Sequence, residues 1–391
     1  MVERRWMITC GAFLSLSFVG MSRTFLGTAL PEIRSFMDLS ILQAGTLTAL
    51  LQLGFSTAVF FGGPLSDAFK KSLILKVGCL LMGCNLILFG YPEGVLLVFV
   101  SMTFVGIAGG LIESSSNPLL VQLFPGRESS ILNLHHFFFA LGSLSGPLIM
   151  GALLVNAIPW QWGYIGFGSF VLIVFVFLSV QSVAVSQKKR GFDLRQIGRL
   201  MTDMTFLSFF FVIFFNSGVQ NAISFWMVSL LKETRGLPIG LASSSLFFFF
   251  ASAAAGRLIS SYLVTRLHEA LYLPGLLSLL LFGLLSAVLA PGAWAIPFFA
   301  VCGFAHSGIL PSLLGVAGRC YPEFPGTAMG ILATGGGLGS VIVPWFMSLV
   351  SQLTTLQAGF LSLTVFIVAA LVLMGAQFRR LKQMVPSRLT V

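Results

Sequence analysis

The chain has 391 residues, of which 57% are hydrophobic and only 9% charged, with a formal net charge of +10. Soluble domains carry about 25% charged residues, so this composition excludes an ordinary soluble protein. A surplus of Lys and Arg can mark a nucleic-acid partner, but here its placement along the chain explains it without one.

Apolar runs long enough to span a bilayer fall at 6–30, 42–64, 73–91, 94–122, 130–156, 160–184, 204–230, 239–264, 270–290, 293–318, 326–350 and 356–378. Each exceeds the roughly 17 residues that a helix needs to cross the hydrocarbon. None alternates polar with apolar residues as barrel strands do. The expected fold is an all-α membrane protein, with twelve transmembrane helices in two six-helix pseudo-symmetric bundles. Arg4 and Arg5 before the first run resemble the start of a signal peptide, but the run is too long, and we read it as a retained helix. Forty Phe suit lipid-facing bulk and 42 Gly suit close helix contacts. The five Cys show neither paired extracellular spacing nor metal-ligand spacing.

The longest hydrophilic connector, 185–203, divides the chain into an N-terminal bundle (1–184) and a C-terminal bundle (204–391). With the N-terminus inside, 18 of the 22 Lys and Arg fall on inner connectors and tails; Arg34, Lys232 and Arg235 lie outside and Arg23 alone within a helix. The positive-inside rule then predicts cytoplasmic termini and a cytoplasmic (inner) membrane location. An internal repeat appears at an offset of 197: Gly106, Pro125, Gly142 and Pro147 map onto Gly303, Pro322, Gly339 and Pro344. Such parallel repeats are related by an axis along the membrane normal, with the substrate site at their interface.

Polar residues inside the spans are the candidate working parts. Glu113 lies 12 residues before Pro125 and His136 lies 11 after it, while Asn117 and Asn133 each lie 8 away. If the fourth and fifth helices pack antiparallel, Glu113 meets the depth of His136, and Asn117 that of Asn133. Eleven or twelve residues climb roughly 16–18 Å, close to mid-membrane. Glu113 is the only carboxylate well inside a span; ionised there it costs about 2.5–3.5 kcal/mol. Glu113 and His136 are therefore the proton-coupling candidates, the rival reading being a fixed Glu–His or Glu–Arg pair that glues helices. His135 points about 100° from His136, so one of the two is structural and a His–His–Glu metal site is disfavoured. The remaining substrate-binding candidates are Arg23, Asn117, Asn133, Asn216, Gln220, Asn221, Trp226 and His306. Amides suit polyhydroxylated solutes because each offers a donor and an acceptor, though Asn216, Gln220 and Asn221 could equally bond neighbouring helices. Trp226 could stack on a ring or sit in the interfacial belt, and Arg23 could hold an anionic group, pair with Glu113 or snorkel. The Phe runs 137–139 and 247–250 read as lipid or packing faces.

The loop GGPLSDAFKK, with Gly63, Leu65, Asp67 and Lys71, resembles the signature gating loop G-x-L-x-D-x-x-x-K/R of the major facilitator superfamily. Its counterpart at 256–266 has Ser260 in place of the acid. LIESSSNP around Glu113, LNLHH at 132–136, GVQNA at 218–222, GFAHSGILPSLL at 303–314 and GGGLGSVIVP at 335–344 are similar to segments of the fucose–galactose–glucose/proton symporter group. His136 stands where that group has Gln. The first helix departs from the group: SRTFLGTALPE holds no acid before Glu32, and its only charge is Arg23. The resemblance implies a proton-coupled carrier of sugars or polyols that works by alternating access, with Glu113 as the proton site. We expect no cofactor beyond a proton gradient, a monomer in the lipid bilayer, a small-molecule substrate and no nucleic acid. Two rivals are a proton-driven exporter of amphipathic or anionic compounds and a non-transporting membrane sensor. No nucleophile–base pair or phosphate-cradling loop suggests an enzyme.

Overall fold

The computed structural model describes residues 2–124, 128–181, 200–321 and 325–380, with the side chains of 2–4, 62–68, 128–130, 133, 261, 265 and 325–327 outside the description. Lipid offers no partner for a backbone N–H or C=O, so each apolar run closes its own hydrogen bonds as a helix. Among the described residues, twelve helical spans are long and apolar enough to cross a membrane. They are built from α1 (Val2–Met37), α2 (Ile41–Ala68), α3 (Lys71–Phe89), α4 (Val95–Leu123), α5 (Glu128–Val155), α6 (Trp160–Ser179), α7 (Met204–Ser229), α8 (Ile239–Arg266), α9 (Glu269–Leu289), α10 (Ala295–Ser307), α11 (Ile309–Cys320), α12 (Pro325–Leu353) and α13 (Leu356–Ala376). The first helix runs further than its apolar stretch suggests, through Pro31 to Met37, and Asp38 ends it with a left-handed φ of 51°.

The tenth span is two helices, α10 and α11, meeting at Gly308. Pro311 explains the break: it has no N–H for the Ser307 carbonyl four residues back, and its ring crowds that oxygen. The break sits where a Cβ on Gly308 would strike the Ser260 hydroxyl and the Tyr272 ring oxygen.

The chain forms two compact units, Met1–Arg190 and Gly191–Val391. In the first, α5 lies along α1 and α4 along α2, with α3 bridging α4 and α6. The fourth and fifth helices touch, but they are not each other's main partners as the simple hairpin predicts. Glycines decide this. A Cβ on Gly142 would land on the Ser17 carbonyl of α1, and one on Gly106 would land on the Leu51 carbonyl of α2. Small residues let backbones approach this closely, and in lipid that packing drives helix association.

In the second unit α12 lies along α7 and α10 along α8, while α9 and α13 pack together and against their neighbours. The repeat reappears in the helix crossings, at the same offset for one contact and one residue off for the other. A Cβ on Gly339 would land on the Phe214 carbonyl, and one on Gly303 on the Phe249 carbonyl. Gly339 and Phe214 stand 197 residues after Gly142 and Ser17, so the two units use one crossing twice.

Candidate functional site

In the first unit the intramembrane polar residues form a ladder across α1, α4 and α5. At one rung His135 is fully buried, and both ring nitrogens meet an oxygen. Its Nδ1 lies 3.0 Å from Asn117 Oδ1 on α4, and its Nε2 lies 3.2 Å from the Ala12 carbonyl on α1. One histidine thus ties three helices, and Phe13 packs on it at 5.8 Å between ring centroids. His136, next in the chain, is exposed. Of the two neighbouring histidines, His135 is the structural one. Asn117 bonds His135, where depth alone matched it with Asn133; the Asn133 side chain lies outside the described residues.

Arg23 of α1 forms the next rung, 11 residues and about 16 Å up its helix from Ala12. Its guanidinium carbon lies 4.2 Å from the centroid of the Phe55 ring of α2 and 5.7 Å from that of Phe139 of α5. Its Nη2 is buried and has no hydrogen-bond partner. Glu113 of α4, partly exposed, acts on Arg23 electrostatically. So α1, α2, α4 and α5 converge on a cation held between aromatic faces with a carboxylate nearby. Gly109, one turn before Glu113, makes the room: a Cβ there would meet Val19 and Phe55 at 3.3 and 3.5 Å. The sequence offered Phe137–Phe139 only as a lipid or packing run, yet Phe139 faces Arg23 and Phe138 stacks on Phe13 at 4.9 Å.

The second unit treats its polar residues differently. Asn221 donates from Nδ2 to the Ser217 carbonyl and to Ser340 Oγ of α12, each at 2.9 Å, so this amide bonds helices. Asn216 is buried and its Nδ2 reaches the His306 carbonyl at 3.5 Å, one of the oxygens near the break in the tenth span. His306 is buried and stacks on Phe249 at 5.3 Å with an interplanar angle of 10°. Phe249 comes from the second Phe run, again a packing partner whose specific role the run concealed. Trp226 is fully buried, which removes it from the interfacial belt. Gln220 is the seventh-helix amide that stays partly exposed.

One end of the second unit carries an ordered charge cluster. Arg319 at the end of α11 pairs with buried Glu269 at the start of α9, Nη2 to Oε1, at 2.5 Å. Asp203 caps α7 by accepting the Thr205 N–H at 2.8 Å and accepts the Tyr321 hydroxyl at 2.7 Å. Burial, that hydrogen bond and the Asp203 charge hold the Tyr321 phenol well above its ordinary range. In the signature loop, Lys71 is buried at the start of α3, while the surroundings of Gly63 and the side chain of Asp67 lie outside the description. Among the described residues no three His, Cys, Asp or Glu side chains gather where a metal could sit.

A model of the Major Facilitator Superfamily matches residues 12–323. Among curated relatives, the Protein TsgA homolog of Buchnera aphidicola is 24% identical over 46% of this chain and 47% of its own length. The chain thus spans about half the length of that relative. A putative glucose/galactose transporter of Helicobacter pylori is 23% identical over 89% of this chain and 90% of its own. The crystal structure of a D-xylose-proton symporter superposes with a TM-score of 0.77 at 16% identity, covering 98% of each chain, and shares the twelve-helix fold. With twelve described spans, a duplicated crossing and a family match over most of its length, the chain belongs to the Major Facilitator Superfamily and is a multi-pass membrane protein.

Proposed function

We propose that this chain carries a small polar solute of the sugar or polyol class across the cytoplasmic membrane by alternating access, in symport with a proton. The observation that carries the reading is Glu113, a partly exposed carboxylate inside α4 whose charge acts on the Arg23 cation of α1. Charge inside a span is expensive and marks pathways and proton relays. Protonating Glu113 removes a charge whose burial cost differs between inward-open and outward-open states, and a ligand biases a two-state equilibrium only through such a difference. The Helicobacter relative bears a sugar-transporter name, and the structural neighbour is titled a proton symporter, which supports solute class and coupling. Lys and Arg concentrate on one set of connectors, which supports cytoplasmic termini.

Proteoliposomes with an imposed pH gradient test the reading. Wild-type protein accumulates its solute against a gradient when the entry side is acid. Glu113→Gln retains solute exchange but loses accumulation. Intact uphill uptake in Glu113→Gln overturns the assignment.

A further inference from the structure

The geometry points to a substrate that bears a carboxylate, an acidic sugar such as a uronate or aldonate, held by Arg23 and admitted together with the proton on Glu113. This rests on the symport reading above and narrows its substrate class.

Arg23 is incompletely satisfied. A guanidinium presents five N–H donors in a planar fork. The Phe55 and Phe139 rings meet its charge but offer ring faces and no lone pairs. Nη2 is buried without an acceptor, and a buried donor left unpaired carries its full desolvation penalty. A carboxylate fits that deficit in shape and in charge, because two parallel N–H···O bonds match the fork. A neutral hydroxyl supplies an acceptor but leaves the cation uncompensated at membrane depth.

Glu113 then makes the binding proton-dependent. Ionised, it already acts on Arg23 through its charge and repels a second carboxylate. Protonated, it leaves the solute as the counter-charge of Arg23. Reciprocity follows: the proton tightens anion binding, and the anion tightens proton binding by the same factor. The titratable groups on the elements packed around Glu113 are few. They are Arg23 on α1, with Arg5 and Cys10 nearer its start and Glu32 and Arg34 nearer its end, Cys79 and Cys84 on α3, and His135 and His136 on α5; residues 41–61 of α2 hold none. At the start of α3, Lys71 lies at the end of the span and Lys76 donates instead to the Gln181 carbonyl at 2.7 Å. One proton and one monoanion move with no net charge, so membrane potential does not drive the cycle.

The test uses purified protein in liposomes with labelled D-glucuronate and D-glucose, which differ by the C6 carboxylate. The expected result is acid-driven accumulation of glucuronate and not of glucose, unchanged by a potassium–valinomycin potential. The apparent KM for glucuronate falls by up to about tenfold per unit of acidification, the limit for one linked proton. Arg23→Gln loses glucuronate uptake by at least about a hundredfold; Arg23→Lys, which keeps the charge but not the fork, is intermediate. Glu113→Gln exchanges glucuronate with a pH-independent KM. Proton-driven glucose uptake that survives in Arg23→Gln overturns the carboxylate assignment and leaves symport standing. Glucuronate uptake that requires Arg23 but follows a sodium gradient overturns proton symport and keeps the carboxylate. Failure of the wild-type protein to bind or move glucuronate at any pH ends the inference without recourse to a variant.

Discussion

His135 and Asn117 are hydrogen-bonded across α5 and α4 at 3.0 Å, and the other ring nitrogen of His135 reaches α1 at Ala12. Removing the imidazole empties a fully buried site and takes the partner from the half-buried Asn117 amide, which together cost about 1–3 kcal/mol. His135→Ala is therefore expected to lower the melting temperature of the purified protein by several degrees. His136→Ala, at an exposed position, stays within about 0.5 kcal/mol of the parent. Equal losses in a thermal-unfolding assay would contradict the three-helix tie.

The duplicated crossing predicts twin defects. In Gly142→Ala and Gly339→Ala the new methyl meets a backbone carbonyl, Ser17 or Phe214, that cannot rotate aside. Overpacking of this kind costs about 1–3 kcal/mol or more, so both variants lose monodisperse protein on size exclusion. Gly166→Ala and Gly315→Ala, with nothing within 4 Å of the added carbon, are tolerated.

The seventh-helix amides separate by function. Asn221→Ala breaks two bonds that join α7 to itself and to α12, so it lowers stability while KM stays within about twofold. Gln220→Ala, at a partly exposed position, raises the apparent KM by about 5- to 30-fold if one hydrogen bond to solute is lost. Uptake kinetics paired with melting curves distinguish the two.

Tyr321 predicts an alkaline limit. Its folded-state titration lies above the ordinary value of 10.0 because it is buried, donates to Asp203 and feels that charge. A raised value favours the protonated folded form, so the contribution is complete below pH 10 and fades as pH rises beyond it. Stability should be flat from pH 7 to 9 and decline above about 10. Tyr321→Phe, lacking the phenol, should start less stable and lose less over the same range.

The spans were legible because hydrocarbon allows one solution, the self-bonded helix, and because its length is fixed by the bilayer. The repeat was legible because its glycines stand at backbone contacts that accept no other residue. Depth along a helix can be counted, and it matched Asn117 with Asn133, whereas Asn117 bonds His135. What depth cannot supply is rotation and neighbour choice: counting pairs α4 with α5, whereas the glycines set α1 against α5 and α2 against α4. Hence Asn117 meets His135, a contact that depth alone did not indicate, and Phe55 and Phe139, two of forty phenylalanines, gave no sign that they flank Arg23.

The tenth span, interrupted at Gly308, behaves as two short rods with a joint. The upper rod carries His306, stacked on Phe249; the lower one ends at Arg319, fastened to Glu269, with Tyr321 bonded to Asp203 just beyond. Pro311 withholds one N–H from the ladder between them, so the two rods take their places from different partners, one from an aromatic stack and the other from paired charges.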